Sequence, residues 1–204
     1  MTVAENAFNL YTRETWISIR KEIAALDDPD ERRIREELYD NIIDAITDYN
    51  VHVREYEYDR LFVKWQERGI IFEPCECQAL REKWDSSFRI SEEEPRPFRW
   101  EELYLRDDVM QNRHGNTPAS DAFDRAEKST LAMFFDDCDE AYMIKGCENL
   151  TAADVEEMRA LSDLRKMDIY LMPAEDDPKW SYVTSHEQDC DFGPFFVVPG
   201  AGKN

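Results

Sequence analysis

The sequence predicts an α+β protein, mainly helical, with a small antiparallel sheet near the C-terminus. From residue 166 to 198 apolar residues alternate at a period near two around turn-forming clusters, which is typical of strands. Upstream, apolar residues recur at three- and four-residue steps, and residues 31–68 contain neither Gly nor Pro, which is typical of helices. We expect the helices to cover one face of the sheet.

The C-terminal strands are predicted from alternation and the turns between them from composition. Residues 173–178 place three acids between two prolines, and the second turn contains Asp191, Gly193 and Pro194, all common turn formers. The alternating apolar positions are Ile169, Leu171, Trp180, Tyr182, Phe195 and Val197.

Two helices are predicted in the N-terminal third. The first spans residues 5–26. The second spans residues 31–68, either as one helix or as two with a break at residues 50–53, where β-branched residues cluster. Asp28 is the expected N-cap, before Pro29 at the first helical position, and Gly69 is the expected C-terminal stop.

The middle of the chain is predicted to alternate short helices and connectors. Residues 70–72 form a short strand or a buried connector, residues 75–88 a short helix and residues 119–142 a third helical block. Residues 151–161 form a helix that opens with a near capping box, Thr151 and Asp154. The loop at residues 91–97 divides a helical arm or subdomain, 1–90, from an α+β portion, 98–204, unless 1–204 is one domain.

The net charge of the chain restricts the classes of molecule that it can bind. The formal net charge is −21, from 46 acids against 25 bases, and every quarter of the sequence is net negative. Such a field repels nucleic-acid phosphate and anionic membranes and attracts basic surfaces. The alternative is that the acidity serves solubility alone.

The N-terminus and the cysteines predict a cytoplasmic protein. No basic segment followed by an apolar run opens the sequence, and no window approaches the roughly 20 apolar residues that span a bilayer. The five cysteines lack the spacing of a disulfide framework, so we expect reduced thiols.

Motifs for metal, nucleotide or nucleophilic chemistry are weak or missing. His186, Glu187 and Cys190 spell H-E-x-x-C, but the metal motif H-E-x-x-H requires a helix, and this run lies between a strand and a turn. Cys75 and Cys77 lack the usual zinc spacing. No G-x-S-x-G, Walker loop or G-x-G-x-x-G occurs. We therefore predict no enzyme activity, no cofactor and no metal, with His186 and Cys190 as the outside candidates for metal ligands.

Two acidic clusters lie beside aromatic residues and are the candidate partner-binding sites. Aromatic anchors within a charged rim are typical of tight interfaces, and the alternative for each is a core aromatic beside a polar turn. The predicted partner-binding residues are Asp136, Asp137, Asp139 and Glu140 in the first cluster, and Glu175, Asp176, Asp177, Trp180 and Tyr182 in the second.

The C-terminal end resembles a hairpin of small uncharacterised bacterial proteins, some of which resemble immunity proteins of toxin systems. The resemblance is carried by Asp168-Ile-Tyr-Leu, by Trp180-x-x-Val183-x-x-His186-Glu187 and by Gly193-Pro194-Phe195-Phe196. Ser185 stands where the pattern has Thr. The resemblance covers only this end of the chain, offers no catalytic residues, and implies a bacterial or phage-borne accessory protein.

The sequence thus predicts a non-enzymatic acidic binding protein that inhibits or neutralises a basic, nucleic-acid-handling partner, as an immunity protein or an inhibitor of a nuclease, restriction or CRISPR component would. An alternative is a phage-type DNA mimic with anti-restriction or anti-CRISPR activity, which needs carboxylates spread along one elongated face. A second alternative is a metal-dependent enzyme using His186, Glu187 and Cys190. A homodimer is a further expectation, if the long helical segment projects.

Overall fold

The computed structural model describes residues 13–89 and 97–199, with side chains from residue 16 onward. The chain divides into two compact units, residues 1–60 and residues 61–204. The division lies at residue 60 rather than at the predicted loop, so residues 61–89 belong to the same unit as the sheet. Most of that predicted loop, and the first eight residues of the predicted first helix, lie outside the described residues.

Two helices make up the described part of the first unit, residues 13–60. Helix α1 spans Arg13–Ala24 and helix α2 spans Pro29–Glu67, of which residues 29–60 belong to this unit. The carboxylate of Asp28 accepts the backbone N–H of Asp30 at 2.9 Å, which confirms the predicted N-cap. The two helices pack through an edge-to-face contact between Trp16 and Tyr39, whose ring centroids are 5.5 Å apart.

Helix α2 is continuous over 39 residues, so the one-helix alternative holds. The β-branched residues near its middle cost only a few tenths of a kcal/mol each, too little to break a helix. Its C-terminus lies in the second unit and confirms Gly69 as the stop. Gly69 has φ +83°, and the N–H of Ile70 donates to the carbonyl of Trp65 at 2.9 Å, as in a Schellman motif.

The second unit contains one antiparallel sheet of seven strands, in the order β1-β4-β3-β5-β6-β7-β2. The predicted small C-terminal sheet is therefore only its last part, since strands are contributed from residue 71 onward. The strands are β1 (Ile71–Pro74), β2 (Met110–Gln111), β3 (Thr130–Phe135), β4 (Ala141–Lys145), β5 (Ile169–Pro173), β6 (Ser181–Val183) and β7 (Phe195–Val197).

The predicted helical block at residues 119–142 is wrong beyond its first two turns. Helix α5 spans Pro118–Arg125, and the chain then forms the hairpin of β3 and β4. Strand β3 is central and buried on both faces, so its sequence, TLAMFF, is continuously apolar. Such a run has no period of two and cannot be distinguished from a buried helix by periodicity.

Helices cover both faces of the sheet, not one as predicted. Helices α3 (Cys77–Phe88) and α4 (Trp100–Tyr104) pack on one face, where the indole N–H of Trp84 donates to Ser181 Oγ at 2.8 Å. Helix α5 packs on the other, where Phe123 stacks on Tyr182 with centroids 4.4 Å apart. Neighbouring residues of a strand point to opposite faces, so these two contacts assign the faces. We call them the α3 face and the α5 face.

Helix α6 spans Ala152–Leu161 and packs against α5. The Thr151 hydroxyl accepts the N–H of Asp154 at 3.3 Å, while the Asp154 carboxylate accepts the N–H of Thr151 at 2.9 Å. This reciprocal pair confirms the predicted capping box. The same carboxylate forms an ion pair with Arg68 at 2.5 Å, which joins α6 to the segment that follows α2.

Candidate functional site

A groove of about 530 Å³ opens on the α5 face of the sheet. Its floor contains Trp180 and Phe196, whose rings are nearly parallel, with centroids 5.6 Å apart. Trp180 directly precedes β6 and is a diagonal neighbour of Phe196 in β7, because Tyr182 pairs with Phe196. Met110 and Val198 also line the groove, and each is 46% exposed. Its volume lies within the roughly 300–1,000 Å³ of small-molecule and side-chain pockets.

The turn between β5 and β6 forms part of the rim of this groove. It exposes Glu175, Asp176 and Asp177, and Glu175 and Lys179 line the groove itself. Lys179 lies 2.5 Å from Asp177, and this hydrogen bond lowers the pKa of the Asp177 carboxyl. The three acids of the predicted second cluster are thus exposed, and they lie beside Trp180.

Of the two aromatic residues predicted beside this turn, Trp180 borders the groove and Tyr182 does not. Trp180 is 7% exposed and Tyr182 is 2% exposed. The Tyr182 hydroxyl lies 3.4 Å from Ser120 Oγ, and burial raises the pKa of this phenol. Tyr182 lies on the same face of the sheet as Trp180 and Phe196, but it offers no surface to a partner because Phe123 of α5 covers it.

The first acidic cluster lies at the opposite end of the sheet. In the antiparallel pair of β3 and β5, Leu131 pairs with Pro173 and Phe135 with Ile169, so the turn after β3 is a strand length, roughly 15 Å, from the turn after β5. Asp137 and Asp139 are exposed there, while Glu140 pairs with Lys166 at 2.8 Å. The two predicted clusters are therefore separate surfaces.

Asp136 differs from its neighbours because its side chain is only 3% exposed. It accepts the Tyr170 hydroxyl at 2.7 Å and forms an ion pair with the guanidinium of Arg99. Arg99 also donates to Asp85 at 3.0 Å. Burial and the Asp136 charge raise the pKa of Tyr170 well above its ordinary value. Asp136 thus joins β3, β5 and the segment before α4, and is not available to a partner.

Asp168 and His186 form a second buried pair at the same end of the sheet. The Asp168 carboxylate accepts the backbone N–H of His186 at 2.6 Å and lies 3.0 Å from its Nδ1. Burial raises the pKa of the Asp168 carboxyl. The imidazole packs edge-on against Phe98, with centroids 4.7 Å apart.

We expect Asp168→Ala to lower the free energy of unfolding by about 1–3 kcal/mol, because the backbone N–H of His186 loses its buried acceptor. Asp168→Asn retains an acceptor without the charge and should cost less. Chemical denaturation of both variants measures the difference.

The raised pKa of Asp168 also predicts a pH dependence. Above its ordinary value of 3.8, the unfolded carboxyl has lost its proton while the folded one retains it, so stability falls as pH rises. Relative to Asp168→Asn, the wild type should therefore lose stability between pH 3.8 and the raised pKa. Chemical denaturation of both proteins at several pH values above 3.8 tests this. A stability difference that stays constant with pH would contradict it.

The H-E-x-x-C run does not form the helix that a metal motif requires. His186 follows β6 in non-helical backbone, and Cys190 is exposed at the end of a short 3-10 helix, Gln188–Cys190. Within residues 13–89 and 97–199, no group of three His, Cys, Asp or Glu side chains is arranged to hold a metal ion. Burial raises the pKa of the Cys75 and Cys77 thiols, so both are neutral at pH 7.

Sequence reasoning missed most of the residues that build these sites. Asp168 could have been predicted from one feature of the sequence, because it is a single acid directly before a continuously apolar strand. A buried acid in that position needs a hydrogen-bonding or charged partner. Arg99 and Asp85 carry none, because they reach Asp136 only through the fold. The same holds for Met110 and Phe196 in the groove.

These observations define a class of protein, an acidic α+β protein whose antiparallel sheet lies between two layers of helices. The chain belongs to the family described as Domain of unknown function (DUF4275), whose model matches residues 42–196. The match contains the sheet up to Phe196 in β7, the groove apart from Val198, and the buried polar contacts of Asp136 and Asp168. It is consistent with the resemblance to uncharacterised proteins. No curated protein and no solved structure matches this chain. Among the helices of the described ranges, none has the length and apolar character to cross a bilayer.

Proposed function

We propose that this protein is a non-enzymatic acidic binding protein that neutralises a basic, nucleic-acid-handling protein, as an immunity protein or inhibitor does. One observation carries the proposal: the exposed acidic turn, Glu175 to Asp177, borders a groove with an aromatic floor. A nuclease-type partner displays a cationic surface where nucleic acid binds, and an acidic protein is attracted to such a surface.

The charge and the groove have different roles in this proposal. The net charge of −21 accelerates encounter with a basic surface and gives little selectivity. Selectivity comes from a partner side chain that enters the groove and packs on Trp180 and Phe196, since buried aromatic contacts dominate interface energetics. Arg125 and Lys179 also line the groove, so a partner segment that carries both signs of charge near its anchor fits better than a uniformly basic one.

The DNA-mimic alternative has less support. A mimic needs carboxylates that are free along an elongated face, and the acids at the turn after β3 are partly engaged within the protein. Asp136 is buried against Arg99, Glu140 pairs with Lys166, and Asp139 lies 3.7 Å from Arg81. A compact patch at the turn after β5 therefore fits a specific inhibitor better.

The test is a tagged pull-down from bacterial lysate with low-salt and high-salt washes, comparing two charge-reversed variants. Glu175→Lys/Asp176→Lys alters the rim of the groove, and Asp137→Lys/Asp139→Lys makes the same change in charge at the other end of the sheet. We expect the first variant to bind the captured basic protein about 10- to 100-fold more weakly and the second to bind it as the wild type does. Thermal melts of both verify folding.

Other outcomes count against the proposal. Equal losses in both variants, with capture of many basic proteins only at low salt, would assign the binding to overall charge or to mimicry. Unchanged binding by the groove variant would remove the groove as the site. If the wild type retains no basic protein at either salt concentration, the acidity serves solubility and the proposed function is wrong.

A further inference from the structure

We propose that two copies of this chain associate through one side of helix α2. Five large apolar side chains of residues 29–60 are about half exposed on this side, and we call them the α2 stripe: Ile34 at 48%, Leu38 at 56%, Ile42 at 50%, Tyr49 at 47% and Tyr56 at 61%. At 100° per residue these positions fall within about 80° of the helix circumference. Exposed apolar positions aligned in this way are typical of an interaction surface.

A groove of about 400 Å³ lies beside the α2 stripe, between α1 and the first turns of α2. Leu38 and Ile42 belong both to the stripe and to the wall of this groove, and Trp16, Ile19 and Leu26 line it from the other side. The same patch therefore contains protruding apolar side chains and a hollow next to them. A twofold dimer requires such self-complementarity, because each copy must fill the hollow of the other.

The charges around this groove favour a second copy over a basic partner. Its lining contains one acid, Glu22, and one base, Arg35, so the patch is locally neutral on a strongly acidic chain. A neutral lining gives little attraction to a cationic protein, and it adds nothing to the repulsion between two acidic chains. A twofold arrangement can also place Arg35 of one copy near Glu22 of the other.

The available area predicts a reversible dimer. The α2 stripe extends from Ile34 to Tyr56, roughly 33 Å, and α1 extends over roughly 18 Å. At a helix width of about 10–12 Å, these two faces offer roughly 550 Å² from each copy. The total, about 1,100 Å², exceeds the roughly 1,000 Å² that a specific interface needs but lies in the range of transient complexes. We therefore expect the dimer to dissociate on dilution.

Sedimentation velocity of the full chain over a range of concentrations tests the proposal. The wild type should pass from monomer to dimer as concentration rises, and Leu38→Glu/Ile42→Glu should remain monomeric throughout, because it places charge in the stripe. Val51→Glu is the matched control, since Val51 is 44% exposed on the opposite side of α2. It should dimerise as the wild type does.

A wild type that is monomeric at every concentration would overturn the proposal, and so would equal dissociation of the Val51→Glu variant. Circular dichroism verifies that the stripe variant retains its helices, and if it unfolds, the single variant Leu38→Gln replaces it. The result is independent of the proposed function, because Glu175→Lys/Asp176→Lys should dimerise normally whether or not it still binds a basic partner.

Discussion

Replacing Asp136 with alanine should lower the free energy of unfolding by about 3–5 kcal/mol, because it breaks the buried ion pair with Arg99 and removes the acceptor of a buried hydroxyl. The Arg99 guanidinium would retain only Asp85, and the Tyr170 hydroxyl would lose its acceptor at 2.7 Å. Tyr170 is fully buried, so water cannot replace that acceptor without opening the core.

The neighbouring residue provides the control. Asp137 is exposed, and Asp137→Ala should change stability by no more than about 0.5 kcal/mol. Urea denaturation followed by tryptophan fluorescence measures both variants. If Asp136→Ala is as stable as Asp137→Ala, the contacts of Asp136 with Arg99 and Tyr170 contribute nothing to stability. Asp136 would then again be a candidate partner-binding residue.

The different burial of Asp136 and Asp137 could not be predicted from the sequence. Both stand in one acidic run, and nothing local distinguishes the buried carboxylate from the exposed one. The distinction arises because Arg99 and Tyr170, each more than thirty positions away in the chain, are brought to Asp136 by the packing of α4 and the pairing of β5. Contacts between residues so far apart in the chain cannot be read from residue spacing or composition.

Features governed by neighbours in the chain were predictable. Asp28 caps α2, Thr151 and Asp154 form a capping box, and Gly69 ends α2 in a left-handed conformation. Each depends on a few consecutive residues, so its signal lies within a short window. The acidic turn after β5 belongs to this group, because two prolines and three acids leave few alternatives to an exposed turn.

Features governed by burial on both sides were not predictable. The sequence of strand β3 predicts a helix, because both faces of the strand are covered and its apolar run lacks alternation. Trp180 and Tyr182 had the period of a strand, but the period does not tell which face a helix covers. Once α5 is placed on that face, Tyr182 becomes core and only Trp180 reaches the groove.

The second large effect is expected at a position with no side chain. Gly146 follows β4 with φ +66°, and a Cβ added there would overlap the carbonyl oxygen of Gly69. The obstacle is backbone, so it cannot rotate away as a side chain would. Gly69 is also the residue that ends α2, and the N–H of Ile70 beside it donates to Trp65. An added methyl group therefore pushes directly on the end of the long helix.

We expect Gly146→Ala to destabilise the fold by about 3–5 kcal/mol, of which about 1–2 kcal/mol is the cost of a left-handed conformation for an L-residue and the rest is overpacking. Gly115→Ala isolates the first contribution, because Gly115 has φ +81° and a Cβ added there would meet no atom within 4 Å. Thermal and urea denaturation of both variants give the difference between them. If Gly146→Ala and Gly115→Ala are equally destabilised, β4 and the turn after α2 can move apart at little cost in free energy. The close approach of Gly146 to Gly69 would then not be needed to position the end of α2 beside the sheet.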